Sequence, residues 1–117
     1  MAVGSTALTL YTDDNGQVGV EYLTGVGPID ILAVDADGNF FVFELKLGHG
    51  AGVAIGQLAR YMGWVKHSLA EDRQVTGVIV AKKVNDKIRY AASVIPNALL
   101  FEYSMSFALH PADEVHS

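Results

Sequence analysis

The stretch that most constrains the fold is "GPIDILAVDADGNFFVFELKL", at residues 27–47. It holds two apolar runs rich in β-branched and aromatic residues, which favour strands. The runs are separated by Asp35-Ala36-Asp37-Gly38-Asn39, a sequence typical of a turn. We therefore predict a β-hairpin with strands near residues 29–34 and 40–47.

The register of this hairpin decides which side chains share a face. A turn centred on Asp37 places Val34 opposite Phe40 and Asp30 opposite Glu44. Side chains alternate along a strand, so Lys46 joins the face of Asp30 and Glu44. The rest of that face is apolar (Leu32, Val34, Phe40, Val42), and the other face holds Ile29, Ile31, Phe41, Phe43, Leu45 and Leu47.

The charged side chains at the end of this face have two interpretations. Opposed carboxylates at Asp30 and Glu44 repel each other, and Lys46 supplies one compensating charge. A divalent cation between the carboxylates would supply the rest, and hard oxygen ligands favour Mg²⁺ or Mn²⁺. Periodicity alone also permits a solvated strand end, where the Glu44 and Lys46 pair contributes about a few tenths of a kcal/mol.

The rest of the chain completes a mixed α/β pattern. Strands and helices alternate too few times for a doubly wound fold, so we predict one domain, residues 1–117, with a mixed sheet flanked by helices. The predicted elements are an N-terminal hairpin around Asp13–Gly16, a loop at Gly25–Pro28, a helix from about Val53 to Leu69, a central strand at 75–83, a short helix at 86–95, and a final strand or pair of strands at 98–109.

Composition excludes several classes of site. The chain has no cysteine, which removes disulfides, thiolate metal sites and thiol nucleophiles. A formal charge of −5 argues against a protein that coats nucleic acid with its whole surface, although a local basic patch is compatible with it. We find neither a signal peptide nor a membrane-spanning run, and we expect a soluble cytoplasmic protein that does not interact with membranes.

Four segments in this order resemble a known family. "GPID", "FELK", "GQLARYMGWV" and "GVIVAKKVNDKIRYA" are similar to the PD-(D/E)XK, restriction-endonuclease-like nucleases, and in particular to the catalytic domain of NucS-type endonucleases. The resemblance implies a restriction-endonuclease-like mixed β-sheet flanked by helices. It also implies that the family's N-terminal helix and N-terminal domain are absent from this chain.

Carried over to this sequence, the resemblance implies a catalytic site. Asp30, Glu44 and the backbone carbonyl of Leu45 would ligate Mg²⁺ or Mn²⁺. Lys46 would position or activate the attacking water and stabilise charge in the transition state, and Gln57 would complete the site. These roles agree with the general chemistry of metal-assisted phosphoryl transfer.

Further residues are candidates for nucleic-acid contact. Arg60 and Tyr61 match the family pattern, and Lys82, Lys83, Lys87 and Arg89 form a basic cluster. A solvated connection between a strand and a helix is the competing interpretation, and the sequence alone favours it over phosphate contact. For Trp64, a place in the core or at a partner interface competes with base stacking.

The resemblance implies a DNA endonuclease that hydrolyses phosphodiester bonds in repair or restriction. Its substrates would be branched, single-stranded or mismatched DNA. The alternative is a catalytically weak nucleic-acid-binding or assembly module that retains the fold. In that alternative, Trp64 and the N-terminal hairpin would form a homodimer contact.

Overall fold

The computed structural model describes residues 1–46 and 53–113 of the chain. The predicted end of the hairpin strand at Leu47 lies outside these residues. The strands are β1 (Ala2–Val3), β2 (Thr6–Ala7), β3 (Thr9–Leu10), β4 (Val20–Thr24), β5 (Gly27–Val34), β6 (Phe40–Lys46), β7 (Val75–Ala81) and β8 (Ala98–Glu102), and the helices are α1 (Ala54–Ser68) and α2 (Asp86–Ser93).

The main sheet is mixed, as predicted. Its order is β3-β5-β6-β7-β8, with β4 also paired to β5, while β1 and β2 form a separate small hairpin. β5 and β6 are antiparallel, whereas β6, β7 and β8 run parallel. Parallel neighbours need a crossover connection, which α1 and α2 supply.

The predicted hairpin register is correct. Val34 pairs with Phe40 and Leu32 with Val42, and the described ladder continues to Ile31 and Phe43. Asp35 stabilises the turn, because its Oδ1 accepts hydrogen bonds from the backbone N–H groups of Asp37 and Asn39, both at 2.9 Å. This side-chain bonding fixes the turn and therefore the register.

The two faces of the sheet bury different sets of side chains. The face toward α1 holds Leu32, Phe40, Val42 and Ile79, which pack in one cluster with Leu58 and Val65 of the helix. The opposite face holds Ala33, Phe41, Phe43 and Val78, which pack with Leu8.

The predicted face of Ile29 is wrong, because Ile29 lies in the helix-side cluster. Regular pairing of β5 with β6 stops before Asp30, and Glu21, which lies opposite Asp30 in β4, takes φ +48°. The alternation of side chains between the two faces of β5 is therefore interrupted at Asp30.

Two other predicted boundaries are also wrong. Gly27 and Pro28 belong to β5 rather than to a loop, because Gly25 and Val26 form a tight turn and Gly27 takes φ +119°, which glycine tolerates. The C-terminal strand ends at Glu102 rather than near residue 109. β7 ends at Ala81, whose carbonyl accepts from the N–H of Tyr103, so beyond that residue β8 has no neighbour strand among the described residues.

The two helices follow the prediction, whereas the N-terminal hairpin does so only at its tip, because β3 and β4 pair with β5 rather than with each other. Asp13 accepts hydrogen bonds from the N–H groups of Asn15 and Gln17 in the N-terminal turn, and an antiparallel bridge joins Thr12 to Val18. The Asn85 side chain caps α2 by accepting from the N–H of Ile88. Within the described residues, neither helix has the length and apolar character needed to cross a membrane.

Candidate active site

Glu44 is the buried charged residue of the sheet. It lies near the end of β6 on the α1 side of the sheet and is only 5% exposed. Burial raises the pKa of its carboxyl group, and the negative charge of Asp30 raises it further, while Lys46 and Arg60 lower it. The strand end is therefore not solvated at Glu44, which removes the interpretation of a plain exposed ion pair.

Asp30 lies beside Glu44, where β5 and β6 separate. Its Oδ2 accepts a hydrogen bond of 2.8 Å from the backbone N–H of Leu45. The Asp30 side chain therefore accepts from a backbone N–H group of β6 at the point where backbone pairing between β5 and β6 stops. This bond positions one carboxylate oxygen of Asp30.

Lys46 is near Glu44 but does not form a tight pair with it. Its Nζ lies 3.7 Å from Oε1 of Glu44, and its side chain is 24% exposed. This ammonium offsets part of the negative charge of the two carboxylates, and the guanidinium of Arg60 supplies a second positive charge that acts on Glu44.

α1 carries Gln57 and Arg60 three residues apart, so the two side chains are neighbours on the helix surface, and the charge of Arg60 acts on Glu44. Oε1 of Gln57 is buried and has no hydrogen-bond partner among the described residues. Arg60 is exposed, and its charge lowers the pKa of Glu44. A buried amide oxygen without a donor is costly, so a bound ligand or water would stabilise it.

Tyr61 lies in the core rather than on the surface. Its ring is buried beside the Arg60 guanidinium, which lies 5.2 Å from the ring centroid. Its hydroxyl lies so close to Gly27 that a Cβ there would be 2.8 Å from it. Trp64 is half-buried and packs near Tyr22, with ring centroids 6.3 Å apart. In this position Tyr61 orients α1 against the hairpin that carries Asp30.

The basic cluster is exposed at the same end of the sheet. Lys46 pairs with Ala81 across the parallel β6 and β7, so Lys82 and Lys83 follow at the level of the candidate site. Lys87 and Arg89 lie on α2, where Arg89 Nη2 is 4.0 Å from Glu102 Oε1. Lys82 and Lys83, which follow β7, are therefore grouped with the candidate site more closely than Lys87 and Arg89 on α2.

A cleft of about 340 Å³ opens beside Asp30, and the sequence did not predict it. It is lined by Val20, Glu21, Asp30, Ile31 and Leu45. Glu21 stands opposite Asp30 in the β4–β5 pair, between the pairs Val20–Ile31 and Tyr22–Ile29. The signal that could have revealed this was the short turn at Gly25 and Val26, which fixes that register.

The oxygen donors fit a hard divalent cation. Within residues 1–46 and 53–113, no three His, Asp or Glu side chains are grouped so that they could hold a metal ion. Mg²⁺ does not need such a cage, because it is commonly bound by one or two carboxylates together with waters and substrate phosphates. Asp30, Glu44 and the unpaired Gln57 oxygen are compatible with that mode of binding.

Comparison with known proteins finds that the chain is similar to endonuclease NucS proteins. A sequence model of the endonuclease NucS C-terminal domain family matches residues 7–95. The chain is 41% identical over 66 residues to endonuclease NucS 1 of Halobacterium salinarum, an alignment covering 56% of this chain and 28% of the relative. It is 37% identical over 87 residues to endonuclease NucS of Micrococcus luteus, covering 73% of this chain and 36% of the relative. The chain thus spans about a third of the length of these relatives.

Solved structures show the same likeness. A repair endonuclease from Pyrococcus abyssi superposes with a TM-score of 0.56 and 25% identity, over 71% of this chain and 35% of the other. The EndoMS–dsDNA2 complex superposes with a TM-score of 0.67 and 20% identity, over 87% of this chain and 39% of the other, which is a likeness of fold. Because the family model covers well over half of the sequence, the chain belongs to the endonuclease NucS C-terminal domain family.

Proposed function

We propose that this chain is the catalytic part of a metal-dependent DNA endonuclease of the PD-(D/E)XK, restriction-endonuclease-like type. The observation that supports this most directly is the buried carboxylate of Glu44. Burial and the negative charge of Asp30 both raise its pKa, and the positive charge of Lys46 offsets these effects only in part. Ionisable groups held in such unfavourable surroundings are concentrated at functional sites. Membership in a family whose relatives are named endonucleases supports the same reaction.

Asp30, Glu44 and the backbone carbonyl of Leu45 would hold Mg²⁺ or Mn²⁺. When bound, such an ion polarises a phosphoryl oxygen and lowers the pKa of its water. Lys46 orients the attacking water and stabilises the negative charge that develops on the phosphoryl oxygens. The buried Gln57 oxygen accepts a hydrogen bond from that water or from another group ordered in the site.

The substrate is DNA held along the end of the sheet. Arg60, Lys82 and Lys83 are exposed at the same end of the sheet as Asp30 and Glu44 and supply phosphate contacts. Lys87 and Arg89 lie farther along, on α2. Tyr61 is buried beneath this surface and packs against the guanidinium of Arg60. Branched, single-stranded or mismatched DNA in repair or restriction is the proposed substrate class, and the Pyrococcus abyssi neighbour is itself a repair endonuclease.

The first test is cleavage of labelled single-stranded, flapped, mismatched and plain duplex DNA with Mn²⁺. Glu44→Gln and Lys46→Met should each reduce cleavage by at least about 100-fold, the scale seen when a charge-stabilising group is lost. Glu71→Gln and Lys66→Met are matched controls on exposed positions and should retain activity.

Two outcomes would favour the alternative of a binding or assembly module. One is DNA binding by the wild type without cleavage of any substrate. The other is cleavage that survives both site substitutions in well-folded protein. Salt dependence of binding then counts the phosphate contacts, because log affinity falls by about 0.9 per neutralised duplex phosphate for each unit of log salt.

A further inference from the structure

A second cleft lies at the end of the sheet opposite the candidate active site. It has a volume of about 380 Å³ and is lined by residues within 59–66 of α1, by residues 74–75 and by residues 95–97. We call it the helix cleft. Val75 at the start of β7 pairs with Phe40, whereas Lys46 at the candidate site pairs with Ala81, six residues further along the strand. The helix cleft and the site are therefore separated by about 20 Å of strand, and the proposed nuclease does not use the cleft.

Most of the lining of the helix cleft is apolar. Val75 is buried, and Met62 and Ile95 are half-buried, so the cleft presents aliphatic surface to a ligand. An added Cβ at Gly63 would meet nothing within 4 Å, so this side of the cleft is open. Val94, next to Ile95 in the chain, is 81% exposed. Clefts of this size and character accommodate apolar groups, and methionine adapts its shape to them.

The polar side chains of the lining are a cation and two amides. Nζ of Lys66 donates a hydrogen bond of 3.0 Å to the backbone carbonyl of Arg73, which holds the ammonium in place. The side-chain amides of Gln74 and Asn97 make no hydrogen bond to other described residues. An amide presents both donors and an acceptor, which are the groups that pair with a peptide backbone.

The charge of the lining is positive. Among the described residues, Lys66 is the charged side chain of the helix cleft, and no carboxylate lines it. Glu71 and Asp72 are exposed in the turn after α1 but are not part of the lining. A ligand that carries a carboxylate beside its apolar groups therefore complements this surface.

These features favour a protein segment over DNA. Binding of a DNA strand depends on several cations along the phosphates and on aromatic rings that stack with bases. The described lining holds one cation and no aromatic ring. Lys82 and Lys83, which are candidates for phosphate contact, follow the other end of β7.

We propose that the helix cleft binds a short segment of a partner protein in which acidic residues precede apolar ones. The apolar side chains enter beside Met62 and Gly63, and a carboxylate pairs with Lys66. The amides of Gln74 and Asn97 bond to the backbone of the segment. Because the cleft lies away from the candidate active site, the segment stays bound while DNA occupies that site.

Fluorescence anisotropy with defined peptides tests the chemistry of the occupant. The probes are labelled hexapeptides in which two glutamates precede two leucines, two isoleucines or two phenylalanines, followed by two glycines. At least one of them should bind the whole chain saturably. Replacing its glutamates by lysines should weaken binding roughly fivefold or more, and Lys66→Glu should reverse this order of preference.

A pair of glycine variants tests the location. Gly63→Leu should weaken peptide binding by at least about tenfold, because the new side chain occupies the cleft. Gly56→Leu is the matched control, since Gly56 lies on the same helix, also has open space at its Cβ position and does not line the cleft. Leucine favours helices, so both variants should fold, which thermal unfolding checks.

Four results would overturn the proposal. They are no saturable binding of any glutamate peptide, equal binding of glutamate and lysine peptides by the wild type, equal binding by the two leucine variants, and displacement of the peptide by single-stranded oligothymidylate. The last result would identify the helix cleft as a DNA surface. DNA cleavage by Gly63→Leu should match the wild type, so failure of peptide binding and failure of the proposed nuclease are separate results.

Discussion

At the scale of single residues, the informative positions are those where a side chain occupies a place that is unfavourable for it. Glu44 is a carboxylate in a strand whose other residues are almost all apolar, and burial raises its pKa. Gln57 holds a buried oxygen without a donor among the described residues. Neither feature stabilises the fold, and side chains in such surroundings are concentrated at functional sites.

Tyr22 gives a prediction for the alkaline range. Burial raises its pKa to about 12, and the hydrogen bond from its hydroxyl to Oδ2 of Asp13 (3.1 Å) contributes in the same direction. In the unfolded chain the phenol titrates near its ordinary value of 10.0. The stabilisation from the neutral phenol is therefore complete below pH 10 and is lost as the pH rises toward 12.

The corresponding substitution is Tyr22→Phe. It should lower the free energy of unfolding by about 1 kcal/mol at neutral pH, since one hydrogen bond to a carboxylate is removed. The difference from the wild type should shrink as the pH rises above 10. Urea unfolding as a function of pH measures both effects, with the exposed Tyr90→Phe as control. A constant difference across the alkaline range would contradict the assigned pKa.

At the scale of elements, glycines mark where backbones come close and where they do not. Gly19 lies between Tyr11 and β5, and a Cβ built there would clash with the carbonyl oxygen of Leu32. Gly63 lies within α1, and a Cβ there would meet nothing within 4 Å. The first glycine is required by packing, whereas the second only weakens its helix.

These two positions should respond to alanine in opposite ways. Gly63→Ala should stabilise the protein by about 0.5–1 kcal/mol, because alanine lowers the entropy cost of forming the helix. Gly19→Ala should destabilise it by about 2 kcal/mol or more, since the backbone of β5 must move. Thermal unfolding of both variants provides the measurement. If Gly19→Ala stabilised the protein, the backbone at Gly19 would lie farther from β5 than in this structure.

At the scale of the whole molecule, the site and the stability of the fold are coupled. With divalent ions removed by EDTA, Glu44→Gln should raise the Tm, because it replaces a desolvated carboxylate by a neutral group. Mn²⁺ should raise the Tm of the wild type by several degrees, since a ligand at about ten times its Kd adds roughly 1.4 kcal/mol. The variant should lose most of that shift.

The control for this coupling is Asp37→Asn, which removes an exposed carboxylate in the hairpin turn. Its Mn²⁺-dependent shift should equal that of the wild type. An equal shift in Glu44→Gln and in the wild type would show that Mn²⁺ binds elsewhere, and the proposed ligand set would then be wrong.

The local structure and the hairpin register follow from short-range patterns in the sequence. Asp35 to Asn39 has turn chemistry of its own, and period-two alternation then orders Leu32, Val42 and Glu44 along one face. The helices and the central strand followed from apolar spacing and β-branched runs, because these patterns act over short distances. The choice of Asp30, Glu44, Lys46 and Gln57 as the candidate site was likewise available from the sequence, through its resemblance to a family.

How these elements meet depends on long-range packing, which becomes visible in the folded chain. Burial of Glu44 depends on α1 covering that face of the sheet, and the break in alternation at Asp30 depends on β4 and β6 together. The end of β8 was set by the end of β7 rather than by the strand-like residues that follow. Such features arise from contacts between segments distant in sequence, which local propensity and spacing do not contain.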